Sequence, residues 1–332
     1  MFKLKNIIGN RNLVKNIKES MNHKHIFHSY IIHGQKNSGK LFISKCFSKF
    51  ILCENNKTKQ DVCDDCYECH SFERNNNPDI IYVIPKKTNF IGVDDVREQI
   101  KEKVNIKPYA GKYKIFILED ADKMTVQAQN ALLKILEEPP SFVIFFLLAD
   151  DKKNLLPTII SRCIILKTSL LDLKEINEYL TCNYSGKEKN LVDVCCKYSN
   201  GNLGEAINLI NNKDFYVLRN KIIDFLVGLR KINLAEAINF VRELELQKEY
   251  LDLILCIMYF WYEDLIFFYE THIDTHIKNK DRLNEIKEIV GFYDEKVLYK
   301  KLNAIETAKK YSGYNFNFKL NMTQLVIELF LN

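Results

Sequence analysis

Between residues 30 and 41 an apolar, strand-like run (Tyr30 to His33) breaks into Gly34-Gln35-Lys36-Asn37-Ser38-Gly39-Lys40, and a helical pattern follows. A turn with glycines five apart, ending in lysine and set between a strand and a helix, has the context of a phosphate-binding loop. The glycines let backbone N–H groups turn toward a β-phosphate, the helix N-terminus adds partial positive charge, and Lys40 can reach the β and γ oxygens. Such a loop needs a parallel sheet behind it, because ligands in these folds sit at the carboxyl ends of the strands.

The sequence around the loop agrees. Further short apolar runs at Ile80 to Ile84, Lys114 to Leu118, Phe142 to Leu148 and Cys163 to Leu166 alternate with amphipathic stretches, which predicts an α/β domain with a mainly parallel sheet over residues 1–167. From residue 168 the strand signals stop. Helical periodicity at Leu170 to Leu180, Lys187 to Ser199 and Leu203 to Asn212 predicts a small helical domain, 168–212. Longer helical stretches at Phe215 to Leu229, Leu234 to Leu246, Glu249 to Glu270 and Glu295 to Tyr311 predict a third, all-α domain, 213–332. The aromatic-rich segment Tyr259 to Tyr269 has helical spacing and is expected to be core rather than a partner-binding face.

Two departures weaken the loop as a catalytic device. The Ser or Thr that normally follows the lysine and ligates Mg²⁺ is Leu41, and an aliphatic side chain cannot bind a cation. The acidic end of the third strand reads Glu119-Asp120, where a working phosphoryl-transfer site of this type presents Asp and then Glu. Swapping the two side-chain lengths moves both carboxylates, and an error of about 1 Å can cost about 10²-fold in rate. Three readings follow: a relic turn that binds nothing, a weak nucleotide site, and a working hydrolase. The first is the expectation, so ATP binding is doubtful.

Between this loop's helix and the second strand, Cys53, Cys63, Cys66 and Cys69 form a C-x9-C-x2-C-x2-C set. Two-residue spacings let thiolates converge on one tetrahedral ion, which points to a structural Zn²⁺ site over residues 53–69. Disulfides are disfavoured if the chain is cytoplasmic. His70 is a weaker substitute ligand, and Cys46, Cys163, Cys182, Cys195, Cys196 and Cys256 are expected to be small buried hydrophobes. A free-standing nucleic-acid-binding zinc module is discounted, because Asp61, Asp64, Asp65 and Glu68 make this segment acidic.

After the fourth strand, Leu155-Leu156-Pro157-Thr158-Ile159-Ile160-Ser161-Arg162-Cys163 holds Arg162 in a tight turn. A guanidinium fixed at a subunit edge can stabilise charge on a neighbour's γ-phosphate, whereas on spacing alone a surface salt bridge is the plainer reading. Net charge is +5, from 48 basic and 43 acidic side chains, which permits contact with nucleic acid without arguing for it. The longest apolar runs are far shorter than a membrane helix, and Met1 to Asn6 lacks the apolar core of a secretory signal, so a cytoplasmic location without membrane contact is expected.

Ile7-Ile8-Gly9-Asn10, His28-Ser29-Tyr30, the cysteine set, Asn130 to Pro140 (NALLKILEEPP) and the Leu155 to Cys163 run together resemble the clamp-loader AAA+ family of bacterial DNA polymerase III, over about residues 4–210. Within it the delta-prime branch is the nearer match. The resemblance implies a five-subunit ring that opens a sliding clamp and places it on primed DNA, with gamma/tau and delta subunits as partners. It further implies that Arg162 is an arginine finger acting in trans, that the four cysteines are the family's zinc module, and that 168–212 and 213–332 are its lid and collar. It implies no independent ATPase activity. The competing branch is the gamma/tau motor, against which stand Leu41, Glu119-Asp120 and the Gly201 to Ala206 stretch, with glycine where a motor carries its sensing arginine.

Overall fold

A computed structural model describes residues 2–22, 26–55, 61–86, 90–312 and 317–331, with nothing said of the side chains at 21 and 22. Met1 of the signal-peptide reading and residues 56–60, between the first two cysteines of the set, lie outside these. The chain divides into two compact units, Met1–Glu178 with Gly201–Glu205, and Tyr179–Asn200 with Ala206–Asn332.

In the first unit, α1 (Arg11–Asn22) precedes β1 (Ser29–His33), followed by α2 (Lys40–Leu52), α3 (Tyr67–Glu73) and β2 (Ile80–Val83). Then come α4 (Val93–Val96, continued by a π-helical turn, Arg97–Lys101), β3 (Lys114–Leu118), α5 (Val126–Glu137), β4 (Val143–Ala149), α6 (Pro157–Ile160) and β5 (Ile164–Lys167). The five strands form one sheet in the order β2-β3-β4-β1-β5, and every pairing is parallel. All five lie within two residues of the runs expected from sequence. Both faces of the sheet are covered, which is why the inner strands read as continuous apolar runs rather than alternating ones. Along β3, Ile115 and Ile117 join Phe47 and Phe146 in one core, while Phe116 and Leu118 join Phe145 and Leu147 in the other. That is the two-residue period of a pleated strand.

The order of strands brings distant segments together. β1 pairs with β4, His33 opposite Ala149, and with β5, so the loop after β1 opens beside residue 150 and residue 168. Thr125 caps α5, its hydroxyl accepting the Ala128 amide.

The second unit is helical. It holds α8 (Lys189–Tyr198), α10 (Phe215–Gly228), α11 (Leu234–Glu245), α12 (Leu251–Thr271), α13 (Leu283–Val290), α14 (Glu295–Ser312) and α15 (Phe318–Phe330); α7 (Leu173–Asn183) and α9 (Leu203–Asn211) run from the first unit into it. α12 packs against α10, α13 and α14, and α15 packs on α11 and α14. Phe260, Trp261, Tyr262 and Leu265 are buried, so the middle of the aromatic segment is core as expected, while Tyr269 at its end is exposed. A polar knot sits inside. Fully buried Arg219 donates to Asn279 Oδ1 and to both Asp281 carboxylate oxygens, and Asn279 is in turn held by Asp264 and by the Tyr198 hydroxyl. A buried guanidinium is tolerable only when its donors are satisfied in this way. No helix among the described residues is long and apolar enough to cross a membrane.

Candidate phosphate loop, cysteine cluster and edge arginine

The loop leaves β1 at Gly34 and enters α2 through Gly39, whose φ of 81° is a left-handed conformation that suits glycine. Lys40, the first residue of α2, folds its ammonium back over the loop. It donates to the Gly34 and Gln35 carbonyls at 2.8 Å each and to Asp150 Oδ1 at 2.6 Å. Asp150 is the first residue beyond β4, and its own amide and that of Asp151 donate to Asp122 Oδ2. Nothing in the local sequence marks Asp150 as a partner of the loop. The missing information was strand order, which makes the residue after β4 a neighbour of the loop after β1.

Leu41 packs against the core that contains Ile32, Phe47 and Phe146. Glu119 is half-buried, and burial, reinforced by Asp120, pushes its carboxyl up despite Lys45. Asp120, in a left-handed conformation, forms an ion pair with Lys123 at 2.8 Å. The segment after residue 200 touches the loop from the other side. Asn202 Nδ2 donates to the Lys36 carbonyl at 2.7 Å, and Asn37 Nδ2 donates to Glu205 Oε2 at 2.8 Å. Gly204 lies so close to the loop that a Cβ there would overlap the Asn37 carbonyl oxygen, so no side chain, arginine included, fits without backbone movement.

The four cysteines expected to converge do so. The sulfurs of Cys53, Cys63, Cys66 and Cys69 all lie within 4.8 Å of one another, with Cys53 and Cys63 3.6 Å apart. A tetrahedral ion with Zn–S bonds of about 2.3 Å sets ligand sulfurs about 3.8 Å apart, so the group fits zinc. None of the ten cysteines forms a disulfide. Burial alone would push the Cys63 thiol up, but amides of Asp65 and Cys66 outweigh it and bring it down to about 7. Burial pushes the Cys53 and Cys69 thiols up instead, so of these three only Cys63 is drawn toward the thiolate that a metal requires.

Three acidic residues around the cluster, Asp61, Asp64 and Glu73, are structural ties. Asp61 accepts the Leu4 and Lys5 amides, Asp64 and Glu73 both accept from buried Lys49 at 2.7 Å, Lys3 pairs with Asp64, and Glu68 is buried. Of the remaining cysteines, Cys46, Cys195 and Cys196 are buried and Cys163 and Cys256 partly so, as expected for small hydrophobes. Cys182 is not; it lies on the exposed side of α7.

Arg162 follows α6 and precedes edge strand β5. Its carbonyl accepts the Ser29 hydroxyl at 2.7 Å, while its guanidinium, about a third exposed, donates to the Thr158 carbonyl and pairs with Glu137 at 3.0 Å. The guanidinium is held at the rim of the sheet.

Residues 9–172 match the family described as DNA polymerase III, delta subunit. The chain is 27% identical over 213 residues to DNA polymerase III subunit tau of Bacillus subtilis, covering 63% of this chain and 37% of that protein. It is 30% identical over 211 residues to subunit gamma/tau of Mycoplasma genitalium, covering 62% and 35%, and 27% identical over 218 residues to subunit gamma of Buchnera aphidicola, covering 63% and 58%. The chain thus spans between about a third and somewhat over half of the length of these curated relatives. A gamma subunit-related protein from Thermotoga maritima superposes with a TM-score of 0.50 at 19% identity, covering 95% of this chain and 97% of that one, which supports the fold.

Proposed function

Starting from a chain that belongs to the clamp-loader AAA+ family, we propose that it is a delta-prime-type subunit of the DNA polymerase III clamp loader, one that hydrolyses no ATP itself. The observation that carries this is Leu41: at the position where a working loop offers a Mg²⁺-binding hydroxyl, a partly buried isobutyl group packs against the core. Glu119 and Asp120 add to it, one half-buried with its carboxyl pushed up and the other engaged with Lys123. In this reading residues 1–167 are the AAA+ domain, 168–212 the lid and 213–332 the collar. The partners are gamma/tau and delta subunits, the sliding clamp and primed DNA. Zinc in the cluster of Cys53, Cys63, Cys66 and Cys69 holds the 53–69 module, and Arg162 completes the ATP site of an adjacent subunit.

A motor of the gamma/tau type is the second reading, favoured by the names of the relatives at 27–30% identity. Steady-state ATP hydrolysis by the purified chain separates the two. The delta-prime reading expects no Mg²⁺-dependent turnover above background. Turnover that disappears in Lys40→Ala would establish the motor instead.

A further inference from the structure

We infer that Asp150 acts as a built-in anion at the phosphate loop: its carboxylate takes the place a nucleotide's terminal phosphate would claim on Lys40 and keeps nucleoside triphosphates out. The inference rests on the non-hydrolysing reading and supplies it with a cause distinct from the missing Mg²⁺ ligand.

An ammonium has three donors and no more. Those of Lys40 go to the Gly34 and Gln35 carbonyls and to Asp150 Oδ1, at 2.8, 2.8 and 2.6 Å. An arriving phosphate would have to displace the carboxylate, and would then lie beside an anion that had lost its counter-ion. Asp150 is not free to swing away with its backbone. Its amide is bonded to Asp122 Oδ2, and the preceding residue, Ala149, pairs with His33 and accepts the Gly34 amide at 3.2 Å. Lys40 is only 11% exposed, so solvent screens the pair weakly on the ammonium side. The other flank of the loop is acidic as well, because the Glu205 carboxylate is hydrogen-bonded to Asn37 within the loop. A loop whose amides, helix end and lysine normally attract polyphosphate thus has two carboxylates already against it.

The test is calorimetric titration of MgATP into the full chain as wild type, Asp150→Asn and Asp150→Asn/Lys40→Ala. Asparagine keeps an acceptor for Lys40 and removes the charge. Asp150→Asn should bind MgATP at least about tenfold more tightly than wild type, since like-charge juxtaposition costs a few kcal/mol. The double variant should lose that gain. Equal affinity in wild type and Asp150→Asn overturns the inference, and Asp150→Ser, which also lacks the charge, decides the matter if the asparagine variant melts early. The outcomes separate from those of the preceding section. If neither protein binds ATP, this inference fails and the non-hydrolysing reading stands; Mg²⁺-dependent turnover by wild type removes that reading whatever the affinities.

Discussion

Arg162 holds its guanidinium ready without burying it. Thr158 O and Glu137 fix its direction, and Ser29 pins its backbone to the first residue of β1. An exposed ion pair of this kind contributes well under 1 kcal/mol to stability, so its value lies in orientation. Arg162→Ala should therefore leave the melting temperature within a few degrees of wild type, while, under the proposed role in trans, the neighbouring subunit's ATP site loses about 10³-fold or more in turnover. The check is ATPase activity of a reconstituted loader beside a melting curve of the isolated chain. Full activity with the alanine variant would reduce Arg162 to a surface salt bridge. Residue types at this scale were legible in sequence: lysine after glycine, four cysteines at metal spacing, arginine in a tight turn. Their partners were not. Asp150 and Glu137 are 110 and 25 residues away in the chain from Lys40 and Arg162, and only the strand order makes them neighbours.

Among elements, the cysteine module is the one that would lean most heavily on the proposed zinc. It has a short helix, α3, and few of its residues are apolar, so its ties are Lys49, Asp61 and the four sulfurs. Purified without added metal, the chain should carry about one zinc, measured by elemental analysis. Cys69→Ser, at a fully buried position, should lose the metal and destabilise the first unit by about 2 kcal/mol or more, because metal binding is folding free energy. Accelerated proteolysis between residues 53 and 78 on chelation would mark the same loss, and a metal-free wild type with unchanged protease resistance would remove the claim. Elements were the most legible level. The inner strands β1, β3 and β4 showed because apolar runs of five to seven residues stand out when both faces are buried. The 3, 4 and 7 spacing of Met322, Leu325, Val326 and Leu329 in α15 was equally readable, and that helix was not named from sequence. The strand order had no local signal at all, since which strands pair is decided by long-range burial.

For the molecule as a whole, acid should act in opposite directions on two carboxyls, Glu73 in the first unit and Asp264 in the second. In the first, Glu73 is held down to about 2: burial would raise it, but the hydrogen bond from Lys49 overrides that. A carboxyl lowered in the folded state stabilises above its unfolded value of about 4.5 and loses that stabilisation as pH falls toward 2. In the second, burial pushes Asp264 up to about 6, against three hydrogen bonds from Lys278 and Asn279. Here the folded state binds the proton more tightly than the unfolded chain, so stability falls as pH rises from about 4 to about 6 and is flat above that. Urea unfolding at pH 7 and pH 5, with wild type compared to Asp264→Asn, isolates this group from others that titrate in the same range. The asparagine variant should be weaker at both pH values, because its single acceptor oxygen cannot serve all three donors that the carboxylate serves. Wild type should gain about 1 kcal/mol on the variant in going from pH 7 to pH 5. An unchanged difference would mean that Asp264 stays charged inside the helical unit, its cost met by Asn279 and the Lys278 amide. The buried knot around Arg219 would then be an ion network at every physiological pH rather than one that a proton can tighten.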